Sequence, residues 1–126
     1  MSLRSPLNRV LGLGSAKDGT DHFWGQRVSG MALALLGLWF AVSMAQLPGF
    51  SHADALAFIA APWNSVLLLL LSVTIAYHSY LGVQVVIEDY VHGPGLKLLS
   101  LIISRFVHSL LAVAAMYAIL TIGLGT

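Results

Sequence analysis

The stretch Pro62-Trp-Asn-Ser-Val-Leu-Leu-Leu-Leu-Leu-Ser-Val-Thr-Ile-Ala-Tyr-His78-Ser-Tyr-Leu-Gly82-Val-Gln-Val-Val-Ile-Glu88-Asp89-Tyr90 decides the fold. From Pro62 to Ile87 it holds no Asp, Glu, Lys or Arg. A helix of about 20 apolar residues crosses the hydrocarbon core of a bilayer, and this run is longer than that. Proline is favoured at the first helical position, and Trp63 suits the membrane interface. A histidine inside such a helix is costly and points to a function. At about 100° per residue, Leu71, Ile75, His78, Gly82, Val85 and Asp89 fall on one stripe. One face therefore carries a metal-competent imidazole, a glycine one turn on, and a carboxylate about 16 Å from the imidazole.

Two similar stretches flank this one. The chain has 126 residues, of which 58% are hydrophobic and only 9% charged. A soluble domain is usually about one quarter charged. The fold class read from this is all-α and integral to the membrane. Three transmembrane helices are expected at about residues 24–46, 62–88 and 96–123. Residues 1–23 form a polar segment ahead of a single three-helix domain at 24–126. Three helices are few for enclosing a large cofactor, so partner subunits are implied. No cysteine is present, which excludes disulfides and cysteine-ligated iron–sulfur clusters. No glycine-rich nucleotide motif occurs, and a net charge of +1 gives no reason to invoke nucleic acid.

The segment Gly12 to Asp21 is rich in turn-forming residues and is expected outside the lipid, with Asp21 as the N-cap of the first helix. Ser43-Met44-Ala45 resembles a small-x-small cleavage site, but the polar leader before it is long for a signal peptide. Gly30, Ala34, Gly37 and Ala41 form a small-residue face on helix one, suited to close packing. Arg27 precedes Gly30 on that face and is expected to point into the bundle. Residues 51–61 read as a connector. His92-Gly93-Pro94-Gly95 is a stop and turn signal. Lys and Arg gather in the N-terminal segment and the second loop. The first loop and the C-terminus have none. By the positive-inside rule the N-terminus is expected in the cytoplasm and the C-terminus in the periplasm.

Each candidate residue has a bland alternative. His78 suits an axial ligand of a b-type haem, or it simply bonds a neighbouring helix. It is read as the only deep histidine of the chain, so a second haem ligand would come from elsewhere. Gly82 would leave room for a flat macrocycle. Tyr90 and the pair Glu88-Asp89 offer a donor and carboxylates to a quinone, or they are a helix end meeting water. Arg27 suits a haem propionate, or it snorkels as a positive-inside residue. Lys97 and Arg105 stand near the start of helix three; Arg105 and His108 share a face with Ala112 and Ala115 that offers contacts to a partner or lipid head groups, though the bland reading is preferred there. His22, His52 and His92 lie at boundaries and are assigned nothing.

The run from His78 to Val91, with glycine four residues on and Asp89-Tyr90 at eleven and twelve, resembles the small hydrophobic membrane anchor of succinate dehydrogenase (respiratory complex II). Gln26-Arg27-Val28-Ser29-Gly30 at the entry to helix one is also similar to that family, and the resemblance covers about residues 20–120. Some bacterial members have a neutral residue where Glu88 stands, which leaves open whether Glu88 or Asp89 is the functional carboxylate. The Arg-Val-Ser-Gly entry is similar as well to a motif of the companion anchor, the cytochrome b556-type chain of the same complex. The Asp-Tyr placement and the short length favour the hydrophobic anchor over its companion.

The resemblance implies a membrane anchor of a succinate:ubiquinone oxidoreductase, without catalytic activity of its own. Its partners would be a cytochrome b556-type anchor, an iron–sulfur subunit and a flavoprotein subunit. His78 would ligate haem b, with the cytochrome b556-type anchor giving the other ligand. Tyr90 would hydrogen-bond ubiquinone with support from Asp89, and Arg27 would lie near the haem propionates. The location would be a bacterial inner membrane, since the N-terminus lacks a long Arg- and Ser-rich leader. Two other readings stand beside it: the menaquinone-linked anchor of a fumarate reductase, and a cofactor-free structural or assembly membrane protein.

Overall fold

A computed structural model describes residues 15–125, with side chains from residue 20 onward. Its elements are α1 (Ser15–Ala45), α2 (His52–Ala60), α3 (Pro62–Tyr90) and α4 (Pro94–Leu124). No strand occurs among the described residues. Three helices are long and apolar enough to cross a membrane: Thr20–Ala45, Pro62–Tyr90 and Pro94–Leu124. The all-α, three-span plan is therefore observed, and the limits of the second and third spans agree with expectation to within two residues.

The local chemistry explains those limits. Pro62 and Pro94 each open a helix, where the missing N–H costs nothing because it would have no intrahelical partner. α3 stops at Tyr90 because Val91 turns extended and the next helix begins at Pro94. α4 ends at Gly125, whose φ of 70° is a left-handed conformation open to glycine at little cost.

Three local expectations are corrected. α1 starts at Ser15, well before residue 24, so Asp21 lies within the helix and is not its N-cap. Gly19 and Thr20 are poor helix formers but do not end a helix on their own. Residues 12–14, the start of the expected turn segment, lie outside the described residues. The 51–61 connector is mostly helix. α2 is nucleated by a capping box in which Ser51 Oγ accepts from the Asp54 N–H and Asp54 accepts from the Ser51 N–H.

The small-residue face of α1 is only partly used. Gly30 packs against His78, but nothing lies within 4 Å of a Cβ built on Gly37, and Ala34 and Ala41 are exposed. The packing face instead runs through Gly25, Ser29, Gly30 and Leu36.

α3 is the central element. α1 and α4 each pack along it, and no Cα of α1 comes within 8 Å of one in α4. α2 sits against α3 and α4 at the opposite end from the α3–α4 turn. The buried residues are few: Leu36, Leu71, Leu81, Ser29 and Ser104. Two of the five are serines, so polar contacts matter where the helices meet.

Candidate functional site

His78 lies midway along α3 and faces α1. A Cβ on Gly30 would come 3.3 Å from His78 Cε1, so only glycine lets the helix backbone approach the ring this closely without adjustment. The ring's nitrogens meet two side chains of α1. Ser29 Oγ is 2.9 Å from Nδ1, and the Gln26 amide nitrogen is 3.4 Å from Nε2.

Donor accounting fixes the tautomer. Ser29 Oγ is also 2.6 Å from the Gly25 carbonyl oxygen, which can only accept. Its single proton goes there, as serine in a helix commonly does. Its lone pairs then accept from His78 Nδ1–H, and Nε2 carries the ring's acceptor lone pair. Gln26 donates weakly toward that lone pair, while its own Oε1 is buried without a partner. Ser29, only 6% exposed, is thus a member of the site. In the sequence it is one residue of an entry motif with no role of its own. The available signal is a hydroxyl beside Gly30 in an apolar span.

A cleft of about 490 Å³ is lined by Gln26, the partner of His78 Nε2, together with His22, Phe23, Arg27, Gly82 and Val85. It brings Arg27 and Gly82 together. Gly82 faces the Gln26 amide, which stands 3.7 Å from where a Cβ would sit. Arg27 is exposed, with its guanidinium 4.8 Å from the Phe23 ring centroid. It does not point into the helix contact as expected. At the positions that face α3 the chain has Gln26, Ser29 and Gly30 instead. His22 Nε2 is a second buried polar atom without a partner on this side.

Glu88, Asp89 and Tyr90 lie at the end of α3, outside that cleft. Glu88 is engaged: Gln84 donates to its carboxylate at 2.8 Å, and Lys97 donates to its carbonyl at 2.7 Å. The Asp89 carboxylate makes no hydrogen bond or ion pair among the described residues. Tyr90 is 79% exposed.

His108 corrects the reading that only His78 is deep. Ser79 Oγ lies 3.1 Å from His108 Nε2, which puts the two histidines at the same level on different faces of α3. His108 is nonetheless internally satisfied. Its Nδ1 donates to the Ser104 carbonyl at 2.7 Å, and its Nε2 accepts from Ser79. Arg105 is expected near the helix start, but α4 begins at Pro94, so Arg105 lies about three turns in and His108 about four. Arg105 stacks over Tyr80, 5.4 Å from the ring centroid.

No cluster of three or more His, Cys, Asp or Glu that would hold a metal ion occurs among the described residues. One imidazole can still serve as an axial ligand. A separate, apolar cleft of about 360 Å³ lies beneath α2, lined among others by Phe40, Met44, Phe58 and Leu68, and has no part in this chemistry.

Comparison with known proteins decides the family. The model of the family described as Succinate dehydrogenase/Fumarate reductase transmembrane subunit matches residues 1–122. This chain belongs to that family. It is 32% identical to the succinate dehydrogenase hydrophobic membrane anchor subunit of Paracoccus denitrificans, over 96% of this chain and 93% of that relative. It is 37% identical to the anchor subunit of the same name from Rickettsia typhi, over 83% and 84% of the two chains. A succinate dehydrogenase membrane anchor subunit of Reclinomonas americana is 31% identical over 72% and 78%. As a member of this family with three apolar spans, the chain is a multi-pass inner-membrane anchor.

Proposed function

We propose that this anchor serves a succinate:ubiquinone oxidoreductase, holds one side of a b-type haem through His78, and lends Asp89 and Tyr90 to a quinone site at the cytoplasmic end of α3. The observation that carries the haem assignment is the hydrogen bonding at His78. Its Nδ1–H is committed to Ser29, and Nε2 is met only by a long 3.4 Å contact from Gln26, which itself lines a cleft with Gly82 and Arg27. Metal-bound histidines ordinarily donate their second nitrogen in this way. His108 also donates from Nδ1, but its Nε2 is held by Ser79 at 3.1 Å, a shorter contact than the 3.4 Å from Gln26 to His78 Nε2.

The residues present fit the group. The two buried polar atoms without partners, His22 Nε2 and Gln26 Oε1, lie on the same side. Gln26 would have to swing away from His78 Nε2, giving up only a long 3.4 Å contact. Arg27 at the cleft can take a propionate with two parallel hydrogen bonds. When bound, the haem supplies a one-electron redox centre inside the bilayer. Its second ligand would come from the cytochrome b556-type partner anchor.

At the quinone site the electrons come from the iron–sulfur subunit, and this chain's part is to bind and handle protons. Tyr90 donates to a quinone carbonyl. Asp89, its carboxylate unengaged within the described residues, is free to orient that donor or relay a proton. Glu88 is held by Gln84 and does not fill this role. The names of the relatives favour a succinate dehydrogenase over a fumarate reductase.

The test is to purify the complex through a tag on this chain, record its reduced optical spectrum, and identify co-purifying subunits and extractable quinone. A low-spin b-type haem, flavoprotein and iron–sulfur partners, and ubiquinone are expected. Absence of any haem band would favour the cofactor-free alternative. Menaquinone as the bound quinone would favour a fumarate reductase.

A further inference from the structure

We infer that Ser29 is a positioning residue for the haem, fixing both the orientation and the electron donation of His78; this rests on the reading of His78 as an axial ligand. Ser29 is buried where α1 crosses α3, with its hydroxyl between two partners of opposite demand. It donates to the Gly25 carbonyl at 2.6 Å and accepts from His78 Nδ1–H at 2.9 Å. The carbonyl cannot donate, so the chain Nδ1–H to Oγ–H to carbonyl has one consistent direction.

The proton is thereby kept on Nδ1, so Nε2 is the nitrogen left free for iron. The ring plane is pinned from one side by the serine and from another by the bare backbone of Gly30, 3.3 Å from Cε1 measured at an added Cβ. In addition, a bond from Nδ1–H to an oxygen that is itself donating raises the basicity of the imidazole. A more basic ligand favours ferric over ferrous iron and lowers the midpoint potential. Ser29 touches neither iron nor quinone in this arrangement and acts only through His78.

The experiment uses the complete complex with Ser29→Ala and Ser29→Thr in this chain. Measured are haem per flavin, the haem midpoint potential by optical titration, and the ferric EPR g-values, which report the orientation of the axial rings. Losing one hydrogen bond to a neutral group corresponds to a threefold to tenfold change in an equilibrium, roughly 30–60 mV for a one-electron couple. Ser29→Ala is expected to raise the potential by about that much and to move the g-values, while Ser29→Thr, which keeps the hydroxyl, stays near wild type. Loss of haem in Ser29→Ala with retention in Ser29→Thr would also support the role. Wild-type potential and g-values in Ser29→Ala would overturn it. So would equal changes in both variants, since these would trace to packing and not to the hydroxyl. A His78→Ala complex run alongside separates the two levels. If its spectrum matches wild type, the ligand assignment itself has failed; if it changes while Ser29→Ala does not, only the role of Ser29 has.

Discussion

Two histidines at one level of the bundle meet different partners, and residue identity alone does not reveal which is which. His78 Nε2 meets only the Gln26 amide at 3.4 Å, while His108 is held by Ser79 at 3.1 Å and by the Ser104 carbonyl at 2.7 Å. The sequence makes His78 legible through its stripe with Gly82 and Asp89. It hides Ser29 and Gln26, because their roles depend on where α1 crosses α3. The choice between Glu88 and Asp89 is equally illegible there, since it turns on Gln84 one helical turn back. At this scale Tyr90→Phe deletes one donor and leaves the packing of an exposed ring nearly intact. A hydrogen bond to a neutral carbonyl contributes about 0.5–1.5 kcal/mol, so quinone affinity is expected to fall roughly threefold to tenfold. Turnover falls further, by about a hundredfold, if the phenol relays a proton. Succinate oxidation by an artificial acceptor upstream should be spared, and so should haem content. Asp89→Asn is expected to slow quinone reduction in the same direction, whereas Glu88→Gln should leave it near wild type. Equal effects of the two carboxylate variants in a steady-state quinone assay would contradict the assignment of Asp89.

The α1–α3 crossing and the α2 cap govern the elements. Gly25 and Gly30 set how closely α1 approaches: an added Cβ would lie 2.7 Å from Tyr77 Oη at the first and 3.3 Å from His78 Cε1 at the second. Gly30→Val is therefore expected to force the helices apart or turn the imidazole. Overpacking of this kind costs about 1–3 kcal/mol. The expected outcome is less haem per flavin and a lower thermal midpoint of the purified complex; unchanged values would mean that the crossing is looser than these distances imply. The spans themselves are plain from apolar run length and the two prolines. α2 is not, because its signal is a nine-residue segment with a Ser51/Asp54 cap instead of a long periodic pattern. Asp54 is held below the ordinary carboxylate range, first by the Ser51 hydroxyl and then by the Ser51 backbone N–H. A lowered value means the cap's contribution is fully present above the ordinary aspartate pKa and is lost as pH falls through the lower folded value. Hydrogen exchange at the Asp54 and Ala55 amides should stay protected at neutral pH and open as pH drops below about 4. In Ser51→Ala the Asp54 amide, which loses its Oγ acceptor, should already be open at neutral pH.

Taken whole, the molecule is a single-file arrangement in which α3 holds α1 and α4 apart. Large apolar side chains such as Leu35, Leu38, Phe106 and Leu110 remain exposed along the spans. Lipid covers such surfaces, but one imidazole does not complete a six-coordinate haem, and a second anchor is what the proposal requires. From the asymmetry of Lys and Arg the N-terminus is expected in the cytoplasm. A reporter fused at Thr126 should accordingly be active in the periplasm, and a C-terminal tag protected from protease in intact spheroplasts would reverse the topology. The central claim is that His78 binds the haem, and the most direct measurement is the reduced optical spectrum of the purified complex carrying His78→Ala. His108 cannot substitute, because it lies on another side of α3, against Ser79. The predicted result is loss of the low-spin bis-histidine spectrum, either to a high-spin form or through loss of the haem, with flavin and iron–sulfur content retained. An unchanged low-spin spectrum with full haem content would contradict the account.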